Sequence, residues 1–132
     1  MGQVYSSYQH YTFKQLQQKI EEKRGDFVLI NVLPIQEQNY LIRGTIQGIQ
    51  ESDYINSLLK RDKHKEIIIY GCDHHDMKVI DKYNQLKKLG FTKVYIYFGG
   101  LFEWSLLQEV YGFSNFPTDG TVHEPLSVIA LK

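Results

Sequence analysis

Ile67-Ile68-Ile69-Tyr70 is an unbroken apolar run that stops at Gly71 and opens into the polar loop Cys72-Asp73-His74-His75-Asp76. A run without polar alternation suits a strand covered on both faces, the condition of a parallel sheet, and a central strand is expected over Glu66–Tyr70. A helical pattern over Met77–Leu89 follows, then a strand over Lys93–Tyr97, then Gly99-Gly100 and a helix over Leu101–Tyr111. Upstream, Phe27–Asn31 is a second continuous apolar run, read as a central strand. Thr12-Phe13-Lys14-Gln15 has the form of a capping box and opens a helix over Phe13–Lys23. Ser52-Asp53 offers a cap for a helix through Leu59. Thr45–Ile46 reads as a short strand and Pro34 to Gly44 as irregular. Strands alternating with helices imply right-handed crossovers. The expected fold class is therefore α/β, with a parallel sheet of about four or five strands and helices on both faces. In such sheets ligands bind beyond the carboxyl ends of the strands, and Cys72 lies just past one.

A chain of 132 residues fits one domain, and 42% apolar with 14% aromatic residues favours a packed core. Residues 1–11 are expected to form a flexible N-terminal segment, 12–112 the domain, and 113–132 a C-terminal extension packed on it or trailing from it. Fifteen basic residues balance fifteen acidic ones, so there is no electrostatic footprint for nucleic acid. The basic stretch Lys60 to Lys65 is interrupted by Asp62 and reads as a solvated loop. A lone cysteine cannot close an intramolecular disulfide, and no apolar run reaches the length of a membrane span, so a cytoplasmic location is expected. Met1-Gly2-Gln3-Val4-Tyr5-Ser6 matches the myristoylation pattern, which makes Gly2 the lipidation candidate in a eukaryotic setting. One acyl chain without an adjoining polybasic segment would anchor only marginally.

Tyr70, Lys87-Lys88-Leu89-Gly90-Phe91, Val94-Tyr95, Gly99-Gly100 and Trp104, in that order, resemble a rhodanese domain. They fall where that family has its strand tyrosine, leucine-glycine-aromatic helix end, next strand and GG-x-x-x-W segment. The resemblance covers most of the chain and implies the rhodanese-like three-layer fold. The stretch from Phe102-Glu103-Trp104 to Phe116-Pro117-Thr118 is similar to divergent rhodanese-like proteins of large DNA viruses and protists. In the first half, the family's Asp-Val-Arg strand end corresponds to Asn31-Val32-Leu33, its Glu to Glu37, and its Gly-His-Ile-Pro-Gly-Ala stretch to Tyr40-Leu41-Ile42-Arg43-Gly44-Thr45. Asn31 and Leu33 remove the family's charged pair.

The resemblance also implies a reactive loop. Cys72 would be the catalytic thiol, with Gly71, Asp73, His74, His75, Asp76, Met77 and Lys78 forming the anion-binding loop around it. In a sulfurtransferase of this family the cysteine directly follows the strand tyrosine, and an Arg or Lys closes a six-residue loop. Here Gly71 follows Tyr70. Sliding the register by one makes Cys72 the nucleophile and lengthens the loop to Cys72-x5-Lys78. That length resembles the C-x5-R loop of cell-cycle phosphatases and arsenate reductases, but Lys78 lacks the planar fork of Arg. Asp73 and Asp76 are a further obstacle, since two unit charges about 5 Å apart repel by roughly 3 kcal/mol at an effective dielectric near 20. The influences of Asp73 against a thiolate, and of His74, His75, Lys78 and the helix N-terminus for it, nearly cancel. An ordinary thiol is expected. Cys72 could equally be a small apolar strand-end residue or a site of regulatory oxidation. Adjacent histidines diverge more often than they chelate, and His123 is the only distant partner, so neither metal nor cofactor is expected.

Three functions remain. The first is a catalytically degenerate rhodanese module serving as a binding or structural part for a protein partner. Gly71 at the nucleophile register, the loss of charge at Asn31 and Leu33, and the acidic loop favour it. The second is a sulfurtransferase that takes a small sulfur-containing anion and works through a Cys72 persulfide. The third, a phosphatase or arsenate-reductase-like enzyme, rests on loop length.

Overall fold

Thr12 and Gln15 trade hydrogen bonds as the capping box requires. Thr12 N–H donates to Gln15 Oε1 at 2.8 Å and Gln15 N–H to Thr12 Oγ1 at 3.3 Å. They open α1 (Phe13–Glu22), the first helix of a computed structural model that describes residues 7–22 and 26–120. The chain continues through β1 (Phe27–Asn31), a 3-10 turn (Ile35–Glu37), β2 (Tyr40–Ile42), α2 (Gly48–Arg61), β3 (Glu66–Tyr70) and α3 (Lys78–Leu89). It ends with β4 (Val94–Tyr97), α4 (Gly100–Tyr111) and β5 (Thr118–Gly120).

β1, β3 and β4 form a parallel sheet with β3 in the middle, Ile69 standing opposite Ile30 on one side and Ile96 on the other. Phe27–Asn31 is therefore an edge strand of the three rather than a central one. Both of its faces are nevertheless covered, and its outer edge is met by Ile46, whose N–H donates to Leu29 O at 2.9 Å. The expected strand at Thr45–Ile46 is a single bridge between Thr45 and Leu29. At the opposite edge Tyr11 N–H donates to Ile96 O and Ile96 N–H to Gln9 O. The sheet thus has three full strands rather than about four or five, with one bridge at each edge.

Side chains alternate across the sheet, as strand geometry demands. Val28, Ile30, Ile67, Ile69, Val94 and Ile96 face α2 and α3, where Ile55, Leu58, Val79, Tyr83 and Leu86 close the first core. Leu29, Ile68, Tyr70 and Tyr97 face α1, α4 and β2, meeting Leu16, Trp104, Leu41, Ile42 and Phe116 in the second. Each fully buried aliphatic side chain contributes about 1.5–3 kcal/mol. Helices thus cover both faces.

Two elements differ from expectation for tertiary reasons. α2 begins at Gly48, a turn before Ser52-Asp53, because the buried Gln38 reaches across to accept from Gly48 N–H at 3.3 Å. β2 and β5 pair antiparallel, Ile42 opposite Thr118 and Tyr40 opposite Gly120, within stretches that looked irregular. Gly90, at φ +108°, ends α3 in the left-handed conformation expected of it. Among the described residues no helix is long and apolar enough to cross a membrane.

Candidate functional site

Tyr70 fixes the end of β3. Its fully buried hydroxyl accepts from Ile42 N–H at 3.1 Å and shares a hydrogen bond of 2.8 Å with Thr45 Oγ1, tying β3 to β2. Just beyond it, Gly71 is buried and Cys72 exposed, beyond the carboxyl end of the central strand. The first turn of α4 sits directly beneath. Leu101 N–H donates to Gly71 O at 2.9 Å and Phe102 N–H to Cys72 O at 2.8 Å, so helix amides that would otherwise lack partners use the loop as their cap. Contact this close requires glycine. A Cβ on Gly100, whose φ is +70°, would lie 2.7 Å from Gly71 O and 2.9 Å from Asp73 N.

The middle of the loop is held by its own aspartates. Asp73 Oδ1 accepts from His75 N–H at 2.9 Å, and Asp73 O from Asp76 N–H at 3.1 Å. The Asp76 carboxylate, only 8% exposed, turns inward. Its Oδ2 accepts from Cys72 N–H at 3.0 Å and its Oδ1 from Lys78 N–H at 3.2 Å, at the start of α3. It lies over Gly71, where an added Cβ would be 2.5 Å from Oδ2. An internal carboxylate therefore takes the helix N-terminus and loop amides that an anion would use, and its charge offsets the helix dipole there. Lys78 Nζ stands 3.7 Å from Asp76 Oδ1 and is otherwise well exposed.

Of the other residues in the expected loop, His74 and His75 are exposed, with ring centroids 3.9 Å apart, and Met77 is exposed just before α3. Among the described residues no three His, Cys, Asp or Glu side chains gather as metal ligands. Gly2 and His123 lie outside the described residues. The Cys72 thiol is pushed above its ordinary range by partial burial, then by Asp73, Asp76 and Glu37, with Lys78 opposing. This corrects the expected balance: partial burial leads, the like charges of Asp73, Asp76 and Glu37 add to it, and Lys78 does not offset them.

Asn31 entered the sequence reading only as a lost charge, and the bonds made near the site by it, Gln38 and Glu103 were not foreseen. Asn31 is buried, its Oδ1 accepts from Leu33 N–H at 2.9 Å, and its Nδ2 has no hydrogen-bond partner among the described residues. Gln38 bridges Leu33 O and Gly48 N–H. Glu103 accepts from Tyr97 Oη at 2.6 Å, and burial, with Glu103 adding to it, raises that phenol's pKa. Asp76 itself carried a readable signal, since an Asp two residues ahead of the first helical amides is placed to cap them.

The family model described as Rhodanese-like domain matches residues 12–107. The crystal structure of the Alr3790 protein from Anabaena sp. is 21% identical over 90% of this chain and 99% of that one, with a TM-score of 0.65. The solution structure of the rhodanese-like domain from the same Anabaena protein is 22% identical over 86% and 80%, with a TM-score of 0.61. A full-length protein from Lactobacillus plantarum is 16% identical over 90% and 92%, with a TM-score of 0.66. At these identities the likeness to solved structures is one of fold. No curated protein matches.

Proposed function

Because the chain belongs to the rhodanese-like domain family, we propose that it is a catalytically degenerate member whose fold serves as a binding or structural module for a protein partner. The observation that carries this reading is Asp76. Its carboxylate occupies the anion cradle, accepts the Cys72 and Lys78 amides, and fills the space above Gly71 that a side chain at the family's nucleophile register would need. A thiosulfate dianion at Cys72 would face the charges of Asp73 and Asp76, with Lys78 opposing them. The raised thiol pKa leaves little thiolate at neutral pH.

The test is thiosulfate-to-cyanide sulfur transfer with intact mass of the protein after thiosulfate treatment. The expected result is background turnover, equal in wild type and Cys72→Ala, and no added sulfur on Cys72. A Cys72 persulfide, with turnover abolished by Cys72→Ser, would establish the sulfurtransferase reading instead. One observation favours that second reading: Cys72 is exposed at the carboxyl end of the central strand. The phosphatase-like reading is weaker, because Lys78 faces Asp76 and offers no bidentate fork. Acylation of Gly2 is a separate proposal, resting on the Met1–Ser6 pattern. It is checked by intact mass from a eukaryotic host against Gly2→Ala.

A further inference from the structure

Helices that connect parallel strands run back against them, so α2 and α3 end where β3 and β4 begin. At that pole, opposite the Cys72 loop, the two connecting loops meet. Thr92 N–H donates to Lys63 O at 3.2 Å, and His64 Nδ1 lies 3.0 Å from Thr92 Oγ1. A Cβ on Gly90 would be 3.5 Å from Lys63 Nζ. Two basic stretches far apart in sequence, Lys60 to Lys65 and Lys87 to Lys93, are thereby brought onto one face. Lys60, Lys63, Lys87, Lys88 and Lys93 are exposed there, and none of them forms an ion pair among the described residues.

Acids do not cancel this face. Asp62 is exposed on it, with Oδ1 accepting from His64 N–H at 3.0 Å. Glu66 is paired with Lys19, while Lys65 and Asp26, each one step before the paired Glu66 and Phe27, balance each other. Glu21 and Glu22 lie on α1, across the sheet. Lysines in the last turn of a helix ordinarily answer its dipole, which accounts for Lys60, Lys87 and Lys88. It does not account for Lys63 and Lys93, which stand in the loops, nor for Leu89, 41% exposed among the lysines.

We propose that this pole is a docking face for an anionic lipid surface. Clustered lysines suit a diffuse field of headgroup charge, since a lysine is a point charge and lacks the fork with which arginine reads one phosphate. Arg61, the one arginine nearby, turns back onto Tyr54 and Ser57. An exposed leucine ringed by lysines suits the boundary between headgroups and acyl chains. Nucleic acid is the poorer partner, because Phe91, the aromatic between Leu89 and Lys93, is buried and offers no ring to stack on a base.

Sedimentation of the full chain with vesicles tests this. The protein is made in bacteria, so that Gly2 carries no acyl group and the face is tested by itself. Wild type is expected to bind vesicles of equal parts phosphatidylserine and phosphatidylcholine, not phosphatidylcholine alone, and to be released by added salt. Lys63→Gln with Lys93→Gln should weaken binding on the order of twenty-fold at an unchanged melting temperature, whereas Lys14→Gln, on α1, should leave it as it is. No binding of wild type to the mixed vesicles would overturn the proposal. Equal weakening by Lys14→Gln would do so too, by assigning the binding to overall charge. Binding of duplex DNA at the same salt without binding of vesicles would give the face to nucleic acid. Cys72 enters none of these readouts, so the face and the degenerate-module reading can fail separately.

Discussion

The loop from Gly71 to Lys78 is hydrogen-bonded to the first turn of α4, which the Gly99-Gly100 turn opens, yet loop and turn stand in opposite relation to the family pattern. The turn keeps the family's pattern. In the loop Gly71, not cysteine, follows Tyr70, and the Asp76 carboxylate turns inward to accept from the Cys72 and Lys78 amides. The difference lies in what each region touches. Gly100 meets backbone, which cannot move aside, so no other residue fits. Most side chains of the loop meet water and one another, so their chemistry changes without cost to the fold.

The comparison breaks first at Trp104. Trp104→Ala should cost about 3–5 kcal/mol in denaturant melts, since it empties the second core and leaves Pro117 O without its donor. A loss below about 1 kcal/mol would mean that the region under the loop is not rigid. Gly100→Ala should cost about 2–3 kcal/mol, against about 1 kcal/mol for Gly44→Ala, where φ is +89° but nothing lies within 4 Å. Equal costs would show that backbone strain alone, not contact with the loop, demands glycine at 100.

Asp76→Ala sharpens the contrast from the other side. It should lower stability by about 1 kcal/mol through loss of the α3 cap, and the emptied cradle should make the melting temperature rise with added sulfate as the wild type's does not. No sulfate response in the variant would mean that the carboxylate is an ordinary cap and not the reason the cradle is closed. The smallest effect is on the thiol. Alkylation of Cys72 should titrate above the usual thiol range, and Asp76→Asn should bring the midpoint down by removing a like charge. A folded-state pKa that is raised adds stability below the unfolded thiol's range and loses it as pH rises through the folded value. Alkaline melts should therefore fall off less steeply in Cys72→Ser. Identical midpoints in wild type and Asp76→Asn would remove Asp76 from the account of the thiol.

β1 and β3 were legible to the residue because a continuous apolar run bounded by polar residues leaves little freedom of register. The capping box at Thr12 and the left-handed Gly90 were legible because each is a local device. What escaped depended on distant partners. β2 and β5 are three residues each and exist because they pair across more than seventy positions. α2 starts early because of Gln38. At the site, the acidic character of the loop was plain in the sequence. The position of Asp76 ahead of α3 was a signal too, but that its carboxylate also takes the Cys72 amide was not legible, because that follows from where Cys72 N–H points once β3 and α3 are set.

The bond from Leu101 N–H to Gly71 O has a consequence on the far side of the peptide plane. In a trans peptide the carbonyl and the amide of one unit point in opposite directions, so drawing the Gly71 oxygen down onto α4 aims the Cys72 N–H up toward Asp76. The helix thus acts as a sighting device for the donor above it. A substitution in the first turn of α4 that touches no side chain of the loop would rotate this plane and release the carboxylate. The orientation of a dipole in the cradle is therefore set from a helix more than twenty-five residues away in sequence.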